Sequence, residues 1–135
     1  MSSRARLTTA VMALVFLLSV SVGFGQEHDT RSTIEGTIAD LIKHLRAKQF
    51  SDVIRNFTTP ENLQEWLKQA TLEKIVASAI AKGDFDRLLT ACEQASRLKP
   101  QLSATGTMAV FEYLDSDGKK ATLGLQRVKN RWYLL

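Results

Sequence analysis

From Ile34 onward the apolar positions recur every three or four residues. Ile34, Ile38, Leu41, Ile42 and Leu45 share one stripe, with Asp40, Lys43 and Arg46 opposite. That spacing predicts an amphipathic helix to about Lys48. Ser32-Thr33-Ile34-Glu35 has the form of a capping box, with Ser32 as N-cap and Glu35 reaching back. Ser51 is placed to cap a short second helix carrying Val53, Ile54 and Phe57. Thr59-Pro60-Glu61 is a fresh start signal, with Pro60 at the first helical position, and Leu63, Trp66, Leu67 and Ala70 follow it. Thr71 caps a fourth helix with Leu72, Ile75, Val76, Ala79 and Ile80 inward, and Gly83 ends it. Asp84 caps a fifth, with Phe85, Leu88, Leu89, Cys92 and Ala95 inward, and Lys99-Pro100 stops it.

After Pro100 the period changes from helical to strand-like. The first strand, about Thr105–Leu114, carries apolar side chains on both faces: Met108, Val110 and Leu114 on one, Ala109, Phe111 and Tyr113 on the other. A strand of that kind is expected to be covered on both sides or to line a cavity. The second, Lys119–Val128, alternates, with Ala121, Leu123 and Leu125 on one face and Lys120, Thr122 and Gln126 on the other. Asp115-Ser116-Asp117-Gly118 is the turn between them. A two-residue loop at Lys129-Asn130 leads to a third strand, Arg131–Leu135. That loop sets Leu125 opposite Leu134 and Arg127 opposite Trp132, with Arg127 over the indole ring. Helices first and strands last predict an α+β domain, about five helices packed on a C-terminal three-stranded antiparallel meander.

The chain opens differently. A basic start with Arg4 and Arg6 precedes an apolar run, Ala10–Leu18, then small residues up to Gly25 and an abrupt polar stretch. These are the parts of a secretory signal peptide, with cleavage expected after Gly25. No Cys marks a lipid-anchor site. The alternative is an uncleaved anchor, since residues 7–24 approach the length that spans a bilayer. Cleavage leaves residues 26–135 as a single exported α+β domain, periplasmic or extracellular, whose first residues, 26–31, are expected to be a loose leader. On this reading the protein meets the membrane only through its transient signal peptide.

Charge and cysteine content then narrow the function. The whole chain has 18 Lys and Arg against 14 acidic residues; losing Arg4 and Arg6 leaves 16 against 14. A domain so close to neutral offers no argument for a nucleic-acid partner. The one cysteine, Cys92, excludes a disulfide within the domain. Its place on the apolar stripe with Phe85, Leu88 and Leu89 predicts a buried, inert thiol.

Candidate chemistry is sparse. His44 stands at the edge of the first helix's stripe, with Asp40 one turn earlier as a carboxylate partner, the pairing a general base requires. Glu112 is the one carboxylate inside an apolar strand; facing a pocket, its pKa would rise toward acid–base use. Lys119, Lys120, Arg127, Lys129 and Arg131 cluster on the hairpins beside Tyr113, Trp132 and Tyr133, a set suited to an anion or a polysaccharide but better read as a solvated sheet edge, where lysines discourage strand pairing. Asp115–Gly118 fails the calcium-loop template, because aligning Gly118 to its glycine puts Gly124 where a Glu must stand. No His or Cys pair has metal-ligand spacing, and no phosphate loop, dinucleotide glycine pattern or serine elbow is present, so no metal or cofactor is expected.

The run "LIKHLRAKQFSDVIRNF", with its Lys48-Gln49-Phe50 step, and the close "VFEYLDSDGKKATLGLQRVKNRWYLL", with Asn130-Arg131-Trp132-Tyr133, resemble small exported bacterial domains of the nuclear transport factor 2-like (cystatin-like) superfamily. The resemblance implies a curled sheet wrapped by helices. The superfamily hosts isomerases, dehydratases and domains without catalysis, so it implies no single function. Asn130 stands where the family's last turn usually has Gly, and the visible strands are fewer than the full fold has. The expected function is therefore binding of a small ligand or protein partner without catalysis, with Glu112, His44, Phe111, Tyr113, Trp132 and Arg127 as candidate pocket or face residues. The alternatives are a small pocket enzyme of the isomerase or hydrolase type using Glu112 or His44, and a structural domain that forms a homodimer through its open sheet face.

Overall fold

The computed structural model describes residues 29–135. The expected signal peptide, its expected cleavage site and residues 26–28 lie outside the described residues. Five helices precede a four-stranded antiparallel sheet.

Helix α1, Ile34–Arg46, is capped by Thr33, whose Oγ1 accepts the Gly36 N–H at 3.0 Å. Ser32 is not the cap. Its hydroxyl is spent on the Asp29 carbonyl at 2.8 Å, inside a 3-10 turn at Thr30–Ser32. Asp29 is the N-cap of that turn, its carboxylate accepting the Arg31 N–H at 3.0 Å. Helix α2, Phe50–Phe57, begins one residue before Ser51 without a side-chain cap, after Lys48 turns the chain at a φ of 58°. Helix α3, Pro60–Gln69, starts as expected from Thr59 with Pro60 in the first turn. Helix α4, Leu72–Lys82, starts from Thr71, whose Oγ1 accepts the Lys74 N–H at 3.3 Å. Gly83, at a φ of 72°, ends α4 and serves as N-cap of α5, Asp84–Ala95. The left-handed backbone needed there is one that glycine adopts without steric cost. Asp84 is the first helical residue, not the cap.

The sheet runs β1-β2-β3-β4. Strand β1, Gln101–Leu102, was not expected; it pairs with Val110 and Ala109 of β2, Met108–Leu114. Two residues are too few to show a period, which is why pattern reading misses it. β2 begins at Met108 rather than Thr105 because Ser103–Thr107 forms a turn, with Gly106 at a φ of 70° donating its N–H to the Ser103 carbonyl. β3, Lys120–Val128, and β4, Arg131–Leu134, follow, and the Leu125–Leu134 and Arg127–Trp132 pairs fall as predicted. In the last turn the left-handed residue is Lys129, at a φ of 58°, and not Asn130.

The core lies between the sheet's inner face and helices α1, α2 and α5. Leu41, Cys92, Ala109 and Leu125 are completely buried, with Val53, Phe57, Phe111 and Trp132 nearly so. The outer face of β2 is not covered as expected: Leu114 is 62 % exposed and Met108 38 %. α3 and α4 bury no residue fully.

Candidate functional site

The six residues singled out from the sequence do not converge. His44 is half-buried; its Nδ1 lies 2.8 Å from the Asp40 carbonyl oxygen and 3.6 Å from the Asp40 carboxylate. Its ring meets Phe57 edge-on, with centroids 5.8 Å apart. Glu112 is exposed on the outer face of β2, opposite Thr122. Phe111 and Trp132 are core, and Tyr113 is half-buried beside them. Burial, more than the nearby Asp115 carboxylate, pushes the Tyr113 phenol's pKa up. Arg127 is exposed, with its guanidinium carbon 5.9 Å from the centre of the Trp132 ring. The closing aromatics therefore pack into the core, and Phe111 also lines a small concavity of about 160 Å³ between α1 and residues 95–100.

Three charged groups meet at the other end of β4. Arg31 is only 4 % exposed. Its guanidinium lies 4.0 Å from the Phe57 ring centre and 4.8 Å from that of Tyr133, and it donates from both Nε and Nη2 to the Trp132 carbonyl. Burial, and then the charge of Arg131, lower its pKa. Asp29 accepts from Arg131 Nε at 2.8 Å and from the Arg31 backbone N–H at 3.0 Å, and these bonds hold its carboxyl below the usual range. Arg31 carried no helical or strand period in the sequence, so no pattern marked it. An arginine is seldom buried unless something pairs it, and here a carbonyl and two rings do so.

A larger concavity lies elsewhere. A groove of about 550 Å³ opens between α2, α3, α4 and α5 and the end of β4. That volume is in the range of small-molecule sites, roughly 300 to 1,000 Å³. Its floor is apolar, from Ile54, Ile75, Ala79, Phe85, Leu88 and Leu134. Trp66 forms part of its wall and is 42 % exposed, so this tryptophan is not a core residue as its helical spacing suggests. Leu67, beside it on α3, is likewise open to solvent.

The polar rim draws on Thr58, on Asn62 and Gln69 of α3, on α4 and on Asp84. Lys74, Ser78 and Lys82 sit one turn apart along the same side of α4 and all line the groove. The rim's one carboxylate, Asp84, is engaged by Arg87. Lys74 and Lys82 have no ion-pair partner among the described residues, and both are exposed. The apolar stripe of α4 was legible from the sequence. That part of it would face an open groove was not, because periodicity finds a face and not what covers it.

Cys92 is completely buried, and loss of solvent pushes its pKa up to about 12. Among the described residues no group of three or more His, Cys, Asp or Glu is placed to hold a metal ion, and no helix is long and apolar enough to cross a membrane. Comparison with protein-family models, with curated proteins and with solved structures finds no match.

Proposed function

We propose that this is an exported, non-catalytic domain of the nuclear transport factor 2-like kind that binds a small, largely apolar ligand in the groove between α3, α4 and α5. The basic and apolar opening of the chain supports export, and the order of helices before an antiparallel meander supports the family reading. The observation that carries the binding function is the groove itself. It combines an apolar floor with a part-exposed Trp66, and a few polar groups at its rim. The residues on which a pocket enzyme would rely do not line it: His44 is on α1 against Phe57, and Glu112 is on the outer sheet face.

The test is binding of a neutral apolar fluorophore, N-phenyl-1-naphthylamine, to the mature domain and to Ala79→Trp. The indole would fill the groove floor. Fluorescence enhancement with the natural sequence that disappears in a folded Ala79→Trp supports the groove. Equal enhancement by both proteins, or none by either, overturns it.

A further inference from the structure

The charge around the groove narrows what would occupy it. Its floor is apolar and therefore takes hydrocarbon. Its rim presents two ammonium groups without carboxylate partners, Lys74 and Lys82, and the remaining charge on it, Asp84, is neutralised by Arg87. A neutral apolar ligand would leave both ammonium groups idle, and a cation would be repelled. An amphipathic anion uses both features at once.

The two ends of the rim are not equivalent. Lys74 lies in the first turn of α4, after the Thr71 cap, where the helix dipole favours negative charge. Lys82 is the last residue of the same helix, where the dipole opposes an anion, and the Asp84 carboxylate stands close by in the chain. Gln69 adds an amide donor near the Lys74 end. Two turns separate the lysines, roughly 12 Å along the axis, which is about the length of an extended ten-carbon chain.

We infer that the groove binds a single-chain amphipathic carboxylate of medium length, with its head at Lys74 and Gln69 and its tail along Ile75, Ala79 and Leu88 toward Leu134. The inference rests on the groove being the binding site and adds the class and orientation of its ligand. The carboxylate accepts charge-assisted hydrogen bonds from the Lys74 ammonium and the Gln69 amide. Trp66 closes over the first carbons of the chain.

The experiment is calorimetric titration of the mature domain with decanoate, decanol and decyltrimethylammonium, each below its micelle concentration, with displacement of N-phenyl-1-naphthylamine as a second readout. Decanoate is expected to bind about tenfold more tightly than decanol, and the cation not to bind measurably. Lys74→Gln should remove that tenfold advantage and leave decanol unchanged, because it deletes a charge-assisted contact and no apolar surface. Lys82→Gln should change decanoate affinity by less than about twofold, as an exposed charge away from the head. Decanol binding as well as decanoate while the fluorophore is still displaced from the groove overturns the ligand class and leaves the groove standing. Loss of affinity in Lys82→Gln but not in Lys74→Gln overturns the orientation. No fluorophore signal that Ala79→Trp abolishes means the groove itself is not the site.

Discussion

The guanidinium of Arg31 donates two hydrogen bonds to the backbone carbonyl of Trp132, at 3.1 Å from Nε and 2.5 Å from Nη2, across 101 residues of chain. The same group is held between the rings of Phe57 and Tyr133. A residue just before the first helix is thereby fixed to an edge strand of the sheet, and a strand carbonyl is satisfied by a side chain.

Truncating Arg31 to Ala should cost about 2 to 3 kcal/mol of stability, from a buried carbonyl left without donors and from lost packing of the arginine stem. Arg31→Met keeps much of that packing, so its loss should be smaller. Urea unfolding of the three proteins measures both. A loss under about 0.5 kcal/mol in Arg31→Ala would show the contact to be incidental.

Gly36 should tolerate no side chain. A Cβ built there would stand 2.0 Å from the Thr30 carbonyl oxygen, a backbone atom that yields only if the turn at Thr30–Ser32 moves. Alanine ordinarily raises helix stability over glycine. At this position the sign reverses, and we expect Gly36→Ala to lower stability by about 1 to 3 kcal/mol, as overpacking does. Combined with Arg31→Ala its cost should fall well short of additive, since displacing the turn already releases the arginine. Full additivity in the double-mutant cycle argues against this coupling.

Acid should weaken the same region. Asp29 has its pKa lowered in the fold, first by the Arg131 hydrogen bond and then by the Arg31 N–H. A depressed carboxyl contributes stability that is present above its unfolded value and is lost as pH falls through the folded one. Asp29→Asn should therefore flatten the decline in stability as pH falls below about 4, by less than about 1 kcal/mol because the pair is exposed. Identical acid profiles for the two proteins would remove Asp29 from the account.

At the alkaline end the group to watch is Cys92. Its pKa rises from the usual 9.0 to about 12 as burial disfavours the thiolate. A raised value means stability that is complete below the unfolded pKa and declines as pH climbs from about 9 toward 12. The native thiol should resist iodoacetamide at pH 8 and label once urea unfolds the domain. Rapid labelling of the folded protein would place Cys92 at the surface.

The helices were legible by their apolar stripes, and three boundaries also by a start or stop residue. Thr59-Pro60, Thr71 and Gly83 mark boundaries that the fold keeps. The register of β3 and β4 was legible too, since a two-residue loop leaves one pairing. What escaped was set by tertiary contact. Ser32 resembles a cap, but the turn before α1 takes its hydroxyl, and Thr33 caps instead. Met108 and Leu114 look like core by type, yet the sheet's outer face leaves them exposed. The groove draws residues from four helices and a strand end, an assembly no local spacing announces. Glu112 and His44 attracted notice as ionisable groups among apolar neighbours, and each sits at a boundary where solvent or a backbone carbonyl accounts for it.

The bond between Arg31 and Trp132 also fixes an order of events. Arg31 leaves the ribosome 101 residues ahead of the carbonyl it needs. Until then its charge has the Phe57 ring but not its hydrogen-bond partner, and the sheet lacks its fourth strand. A contact that spans so much chain delays closure and keeps the nascent polypeptide open. In a chain exported as we propose for this one, that lateness would be useful, leaving the final fastening to be made after delivery.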